Sequence, residues 1–123
     1  MLVKILERVL NLNDIVLTVG TPESVGELFI KEPKIEFTEG WLTCECRDWH
    51  IHMKYEDLAE VKFVEAPSHG SEQLSYSIRF MDGDGKQRLA AYFLDLYDEK
   101  GALNEDRLKP YREIKAEYVG SAK

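Results

Sequence analysis

No stretch of this 123-residue chain approaches the roughly 20 consecutive apolar residues a helix needs to cross a bilayer, which excludes a membrane-spanning helix. The apolar start, Met1 to Leu10, is broken by Lys4, Glu7 and Arg8, where a secretory signal needs an unbroken core; the expected location is the cytoplasm. Basic residues are in deficit. Sixteen Lys+Arg against 23 Asp+Glu leave a net charge of −7 and a pI near 5.0, the wrong sign for a domain that condenses on phosphates, so no nucleic-acid partner is expected. Cysteine is nearly absent. Cys44 and Cys46 stand at i and i+2, a spacing that is rarely bridged, so reduced thiols in a reducing compartment are expected.

Catalytic signatures are missing as well. There is no glycine-rich phosphate loop, nucleophile elbow or histidine-glutamate zinc helix, and Ser, His and Asp fall at no spacing that marks a triad. Asp82-Gly-Asp-Gly85 begins like a calcium loop, but Lys86 occupies the fifth place and Phe93 the twelfth, where a bidentate glutamate is required. It is a turn. Nothing here compels an enzyme, and a non-catalytic role is expected.

What remains is foldable. With 44% hydrophobic and 11% aromatic residues the chain can bury enough surface to offset the entropy of ordering, and its length suits one domain spanning residues 1–123. Leu2, Ile5, Leu6, Val9 and Leu10 recur at helical steps, which predicts a short N-terminal helix ended by Asn11 to Asp14. Short strands follow over 15–19, 24–30, 34–38, 41–46, 49–53, 59–66, 74–81 and 88–97, punctuated by glycine, proline and acidic turns. In the seventh of these, Leu74, Tyr76, Ile78 and Phe80 alternate with Ser75, Ser77 and Arg79, and the Asp82 to Gly85 turn makes it one arm of a hairpin. Asn104 caps a final helix carrying Leu108, Tyr111, Ile114 and Tyr118 on one face, with Pro110 expected to delay or kink it. The fold class is α+β: an antiparallel β-sheet meander flanked by an N-terminal and a C-terminal helix.

The segment Cys44-Glu-Cys46-Arg-Asp-Trp-His50-Ile-His52 gathers four potential metal ligands within nine residues and invites a zinc reading. Strand parity opposes it. With Arg47-Asp48 as a two-residue loop, Cys46 faces Trp49, Cys44 faces Ile51 and Leu42 faces Met53, while Thr43, Glu45, His50 and His52 fall on the other face. Only a bulge or an odd loop would bring all four ligands together. His50 and His52 are then left side by side, about 7 Å apart along the strand, as candidate ligands to a metal or as ordinary polar residues of a solvated face. His69, in Pro-Ser-His-Gly, lies in a loop from which a second axial ligand can come.

From Asp48 onward the order of pieces resembles the intracellular haem-utilisation carriers of the ChuX/HutX type, and through them the halves of HemS/ChuS proteins. The residues that carry the resemblance are Trp-His-Ile-His-Met53, Leu58-Ala-Glu-Val-Lys-Phe63 and Leu-Ser-Tyr-Ser-Ile-Arg-Phe-Met-Asp82 with the following Gly-Asp-Gly-Lys86. It covers roughly the C-terminal two-thirds of the chain, and Met81 separates the phenylalanine from the aspartate that adjoin each other in that family. The resemblance implies a homodimer that binds haem in a cleft against its sheet and carries or buffers it without chemistry. Parity and chemistry then nominate His50 or His52 as the iron ligand, His69 as a further one, and Arg79, Arg88 or Lys62 for the propionates. The alternative is a protein-interaction or structural α+β module with no cofactor, in which the histidines are incidental.

Overall fold

The computed structural model describes residues 2–21, 23–67 and 73–121. The first helix, α1 (Leu2–Leu10), turns Ile5, Leu6, Val9 and Leu10 to a buried face, as their three- and four-residue spacing requires. Strands β1 (Ile15–Thr21) and β2 (Ser24–Phe29) form a tight antiparallel hairpin. Gly20 makes its bend possible: φ is +122°, and a Cβ there would lie 2.1 Å from the Ser24 carbonyl oxygen.

Next come β3 (Lys34–Thr38), β4 (Trp41–Glu45) and β5 (His50–Lys54), which pair in chain order as a three-stranded sheet. A 3-10 turn over Tyr55–Asp57 leads into β6 (Leu58–Pro67), β7 (Leu74–Asp82) and β8 (Gln87–Phe93). The expected class, α+β with a helix at each end, holds, but the meander is divided. β8 returns to pair with β1, giving a second sheet of order β2-β1-β8-β7-β6.

The β7–β8 hairpin forms around the anticipated turn. Asp82 N donates to the Lys86 carbonyl at 2.8 Å and Gly85 N to the Asp82 carbonyl at 3.0 Å, with Gly85 at φ +80°. β8 stops at Phe93 rather than Tyr97. Asp95 takes φ 55°, which turns the chain out of the ladder, and Tyr97 keeps only an isolated bridge to Leu103.

The final helix, α2 (Glu105–Ser121), is capped by Asn104, whose Oδ1 accepts from the N–H groups of Asp106 at 3.0 Å and Arg107 at 3.3 Å. Pro110 does not delay it and lies inside the helix. Cross-strand partners share a sheet face, so Leu17, Ala91, Ile78 and Phe63 form one row across the large sheet. That face meets α1, α2 and the apolar side of the small sheet: Ile5, Leu42, Cys44, Ile78, Leu108, Tyr111 and Ile114 belong to one buried cluster. Tyr111 is its aromatic centre, meeting the rings of Tyr76, Phe93 and Phe63 edge-on at 5.3, 5.6 and 5.8 Å. Burying a side chain of this size contributes about 1.5–3 kcal/mol.

Candidate functional site

The small sheet sets the geometry of the histidines. Its register places Thr43 opposite His52, Cys44 opposite Ile51, Glu45 opposite His50 and Leu42 opposite Met53, and Cys46 N donates to the Trp49 carbonyl at 2.8 Å across the turn. This is the register expected from parity. Leu42 and Cys44 are fully buried and Cys46 nearly so, whereas His50 and His52 are exposed on the other face. The zinc reading therefore fails: among the described residues no group of three or more His, Cys, Asp or Glu could hold a metal. Both thiols are free. Burial first, and Cys46 second, push the Cys44 thiol up to about 11 from 9.0, so it is an unreactive core residue.

The two imidazoles lean together. Their ring centroids are 5.2 Å apart, with the planes at 67°. His52 Nδ1 lies 3.0 Å from Thr43 Oγ1. Beside the edge strand β5 a cleft of about 470 Å³ is lined by Trp41, Ile51, His52, Met53, Lys54 and Arg88, among others. Val19, Trp41, Ile51 and Met53 supply its apolar surface, its imidazole comes from β5, its cations come from β5 and β8, and the Asp57 carboxylate also lines it. His50 does not line it.

Arg88 is held in place by Asp82. The carboxylate, whose side chain is only 5% exposed, accepts from Arg88 Nε at 2.8 Å and from the N–H groups of Asp84 and Lys86 at 2.9 Å each. Those bonds, that of Lys86 above all and then that of Arg88, hold the Asp82 carboxyl below its ordinary value. Arg88 also borders a second depression of about 920 Å³ with Gly20, Glu23, Met81 and Lys86.

Arg79 is elsewhere. It shares a row with Thr18, Ala90 and Lys62 on the large sheet's other face, where its Nε donates to Ser77 Oγ at 3.2 Å and an Nη to the Tyr92 hydroxyl at 3.3 Å. Lys62, on the same row, is 3.9 Å from Glu60. His69 lies outside the described residues. The site thus brings together His52 and Arg88 but not His50 or Arg79. Trp41, Met53 and Lys54 were not singled out from sequence, because a cleft at a sheet edge draws on both strand faces and parity separates them. The Thr43–His52 opposition was legible from parity alone.

A protein-family model matches residues 3–118, nearly the whole chain. Solved structures of ChuX share the fold: one superposes with a TM-score of 0.76 at 15% identity, over 94% of this chain and 71% of that one. The chain belongs to a ChuX-like family. Among structures of that fold, ChuS, described as an E. coli heme oxygenase, matches with a TM-score of 0.69 at 22% identity, over 92% of this chain and 34% of its own. Holo-PhuS, a heme-binding protein from Pseudomonas aeruginosa, matches at 0.67 and 17% identity, over 89% of this chain and 31% of its own. This ChuX-like chain therefore spans about a third of those larger proteins. No curated protein matches its sequence at a significant level. At such identities the solved structures establish the ChuX-like fold. Among the described residues, no helix is long and apolar enough to cross a membrane.

Proposed function

We propose that residues 1–123 act as one haem-binding domain that carries or buffers haem in the cytoplasm without altering it. The observation that carries the reading is the edge cleft in which His52, Trp41, Met53, Lys54 and Arg88 meet. This donor set suits haem: iron accepts a neutral imidazole, the macrocycle needs apolar walls, and its propionates need cations. The volume is in the roughly 300–1,000 Å³ range of small-molecule sites. His52 is the proposed axial ligand, with Arg88 and Lys54 toward the propionates; His50 is the neighbouring imidazole, His69 a proposed second ligand, and Arg79, outside the cleft, a cation that would serve only a haem bound on the large sheet. Among the solved structures of this fold, ChuS is described as a heme oxygenase and a heme-degrading enzyme, whereas ChuX and PhuS are described as heme-binding; the non-catalytic reading follows the latter.

The domain is proposed to pair as a homodimer. Val25 and Phe29, on the edge strand β2, are 57% and 65% exposed, and small domains commonly cover such edges by association. The same exposure is what favours the second reading, an interaction module without a cofactor. Hemin titration separates them. Binding predicts a saturable shift of the Soret band, and protein loaded with haem and given a reductant and oxygen should keep its haem spectrum. Absence of any Soret shift would favour the interaction module, and haem loss with turnover would make the protein an enzyme. Sedimentation near twice 14.2 kDa is expected at micromolar concentration, and a lone monomer would contradict the dimer.

A further inference from the structure

Between the two exposed histidines the structure draws one distinction that exposure does not. Thr43 and His52 are directly opposed on β4 and β5, with Thr43 Oγ1 3.0 Å from His52 Nδ1. His50 stands opposite Glu45 and meets His52 edge-on. A neutral imidazole carries one proton, and a metal binds the nitrogen that lacks it. The contact has two forms with opposite consequences. If Nδ1–H donates to Oγ1, the lone pair of Nε2 is free; if the Thr43 hydroxyl donates to Nδ1, Nε2 carries the proton and cannot coordinate.

We infer that Thr43 is the positioning residue of the iron ligand: its hydroxyl oxygen accepts the Nδ1 proton of His52, which commits Nε2 of His52, rather than a nitrogen of His50, to the metal. The inference rests on the haem-binding reading above. It is supported by the cleft, which His52 lines and His50 does not. A ligating histidine is ordinarily held by an acceptor on its second nitrogen, which fixes the tautomer and ring orientation. Thr43 supplies that acceptor from the neighbouring strand, so backbone register sets the ring.

The test uses the full chain and three variants, Thr43→Val, which keeps the shape and removes the hydroxyl, Thr43→Ser, which restores it, and His52→Ala. Hemin affinity is measured, together with the iron–imidazole stretching band of the reduced complex by resonance Raman. Thr43→Val should weaken hemin by about tenfold, the lower end of the effect of such outer partners at an exposed site, and move the band to lower frequency. Thr43→Ser should restore both. The band is read only on molecules that have bound haem, so partial misfolding of a variant does not move it. If wild type shows no Soret shift, the haem-binding reading falls and this inference with it. If wild type binds but His52→Ala binds equally well, the haem reading stands and the inference is overturned. An unchanged affinity and band in Thr43→Val, or changes that Thr43→Ser fails to reverse, likewise overturn the inference alone.

Discussion

Asp82 holds Arg88 from inside the turn that joins their strands: one carboxylate oxygen accepts from Arg88 Nε at 2.8 Å, the other from two backbone N–H groups at 2.9 Å. Turn closure and placement of a cleft cation thus depend on one side chain. Because these bonds depress the Asp82 carboxyl in the folded protein, their stabilisation is present above its unfolded value of about 3.8 and is lost as pH falls below it. Asp82→Asn should lower the urea midpoint at pH 7 and flatten its decline below pH 4. A variant whose midpoint tracks wild type at both pH values would remove this role.

The β1–β2 bend is predicted to tolerate no side chain. Gly20→Ala places a Cβ against the Ser24 carbonyl oxygen at a φ of +122°, and relieving a backbone clash of this kind costs about 2 kcal/mol. Chemical denaturation should show that loss, whereas Gly85→Ala, which has the strained φ but open space around its Cβ, should lose less. Equal losses would assign the effect to φ alone.

Alkaline stability should report on Cys44. Its thiol is raised to about 11 in the folded protein from 9.0, so the unfolded chain releases that proton first. The contribution is fully present below pH 9 and is lost as pH rises toward 11. The midpoint of urea unfolding should fall over that window in wild type and less steeply in Cys44→Ala. At pH 8, alkylation of Cys44 in the native protein should be far slower than in urea.

How much of this could be read from residue order varies with range. The β4–β5 register, the Asp82 turn and the Asn104 cap were legible because each depends on neighbours within a few residues: parity, glycine at positive φ and a side-chain oxygen near orphan N–H groups. The return of β8 to β1 was not, since pairing Ile15 with Phe93 is set by shared burial across the whole chain. The same limit applies to the site. Parity placed His50 and His52 together, yet only the tertiary arrangement puts His52 of β5 and Arg88 of β8 around one cleft. Arg79 looked equivalent to Arg88 in sequence and differs because the large sheet turns it toward Ser77 and Tyr92.

Tryptophan fluorescence offers a check on where hemin sits. Trp41 lines the cleft and is 48% exposed, whereas the Trp49 indole donates to the Phe29 carbonyl at 2.9 Å. Hemin should quench wild-type emission strongly. In Trp41→Phe the apparent affinity should fall by several-fold, as expected when an aromatic wall loses part of its contact area, while Trp49→Phe should bind as wild type does. The reverse pattern would move the site to the far end of the small sheet.

The most direct measurement is the hemin dissociation constant of wild type, His50→Ala and His52→Ala, read from the Soret band under identical conditions. Since loss of an outer partner alone costs about 10–100-fold, loss of the ligand should reach at least the upper end, so His52→Ala is predicted to bind about a hundredfold more weakly. His50→Ala should stay near wild type, with all three proteins folded because both rings are exposed. Wild-type affinity in His52→Ala, or a loss confined to His50→Ala, would contradict the assignment of the edge cleft as the haem site.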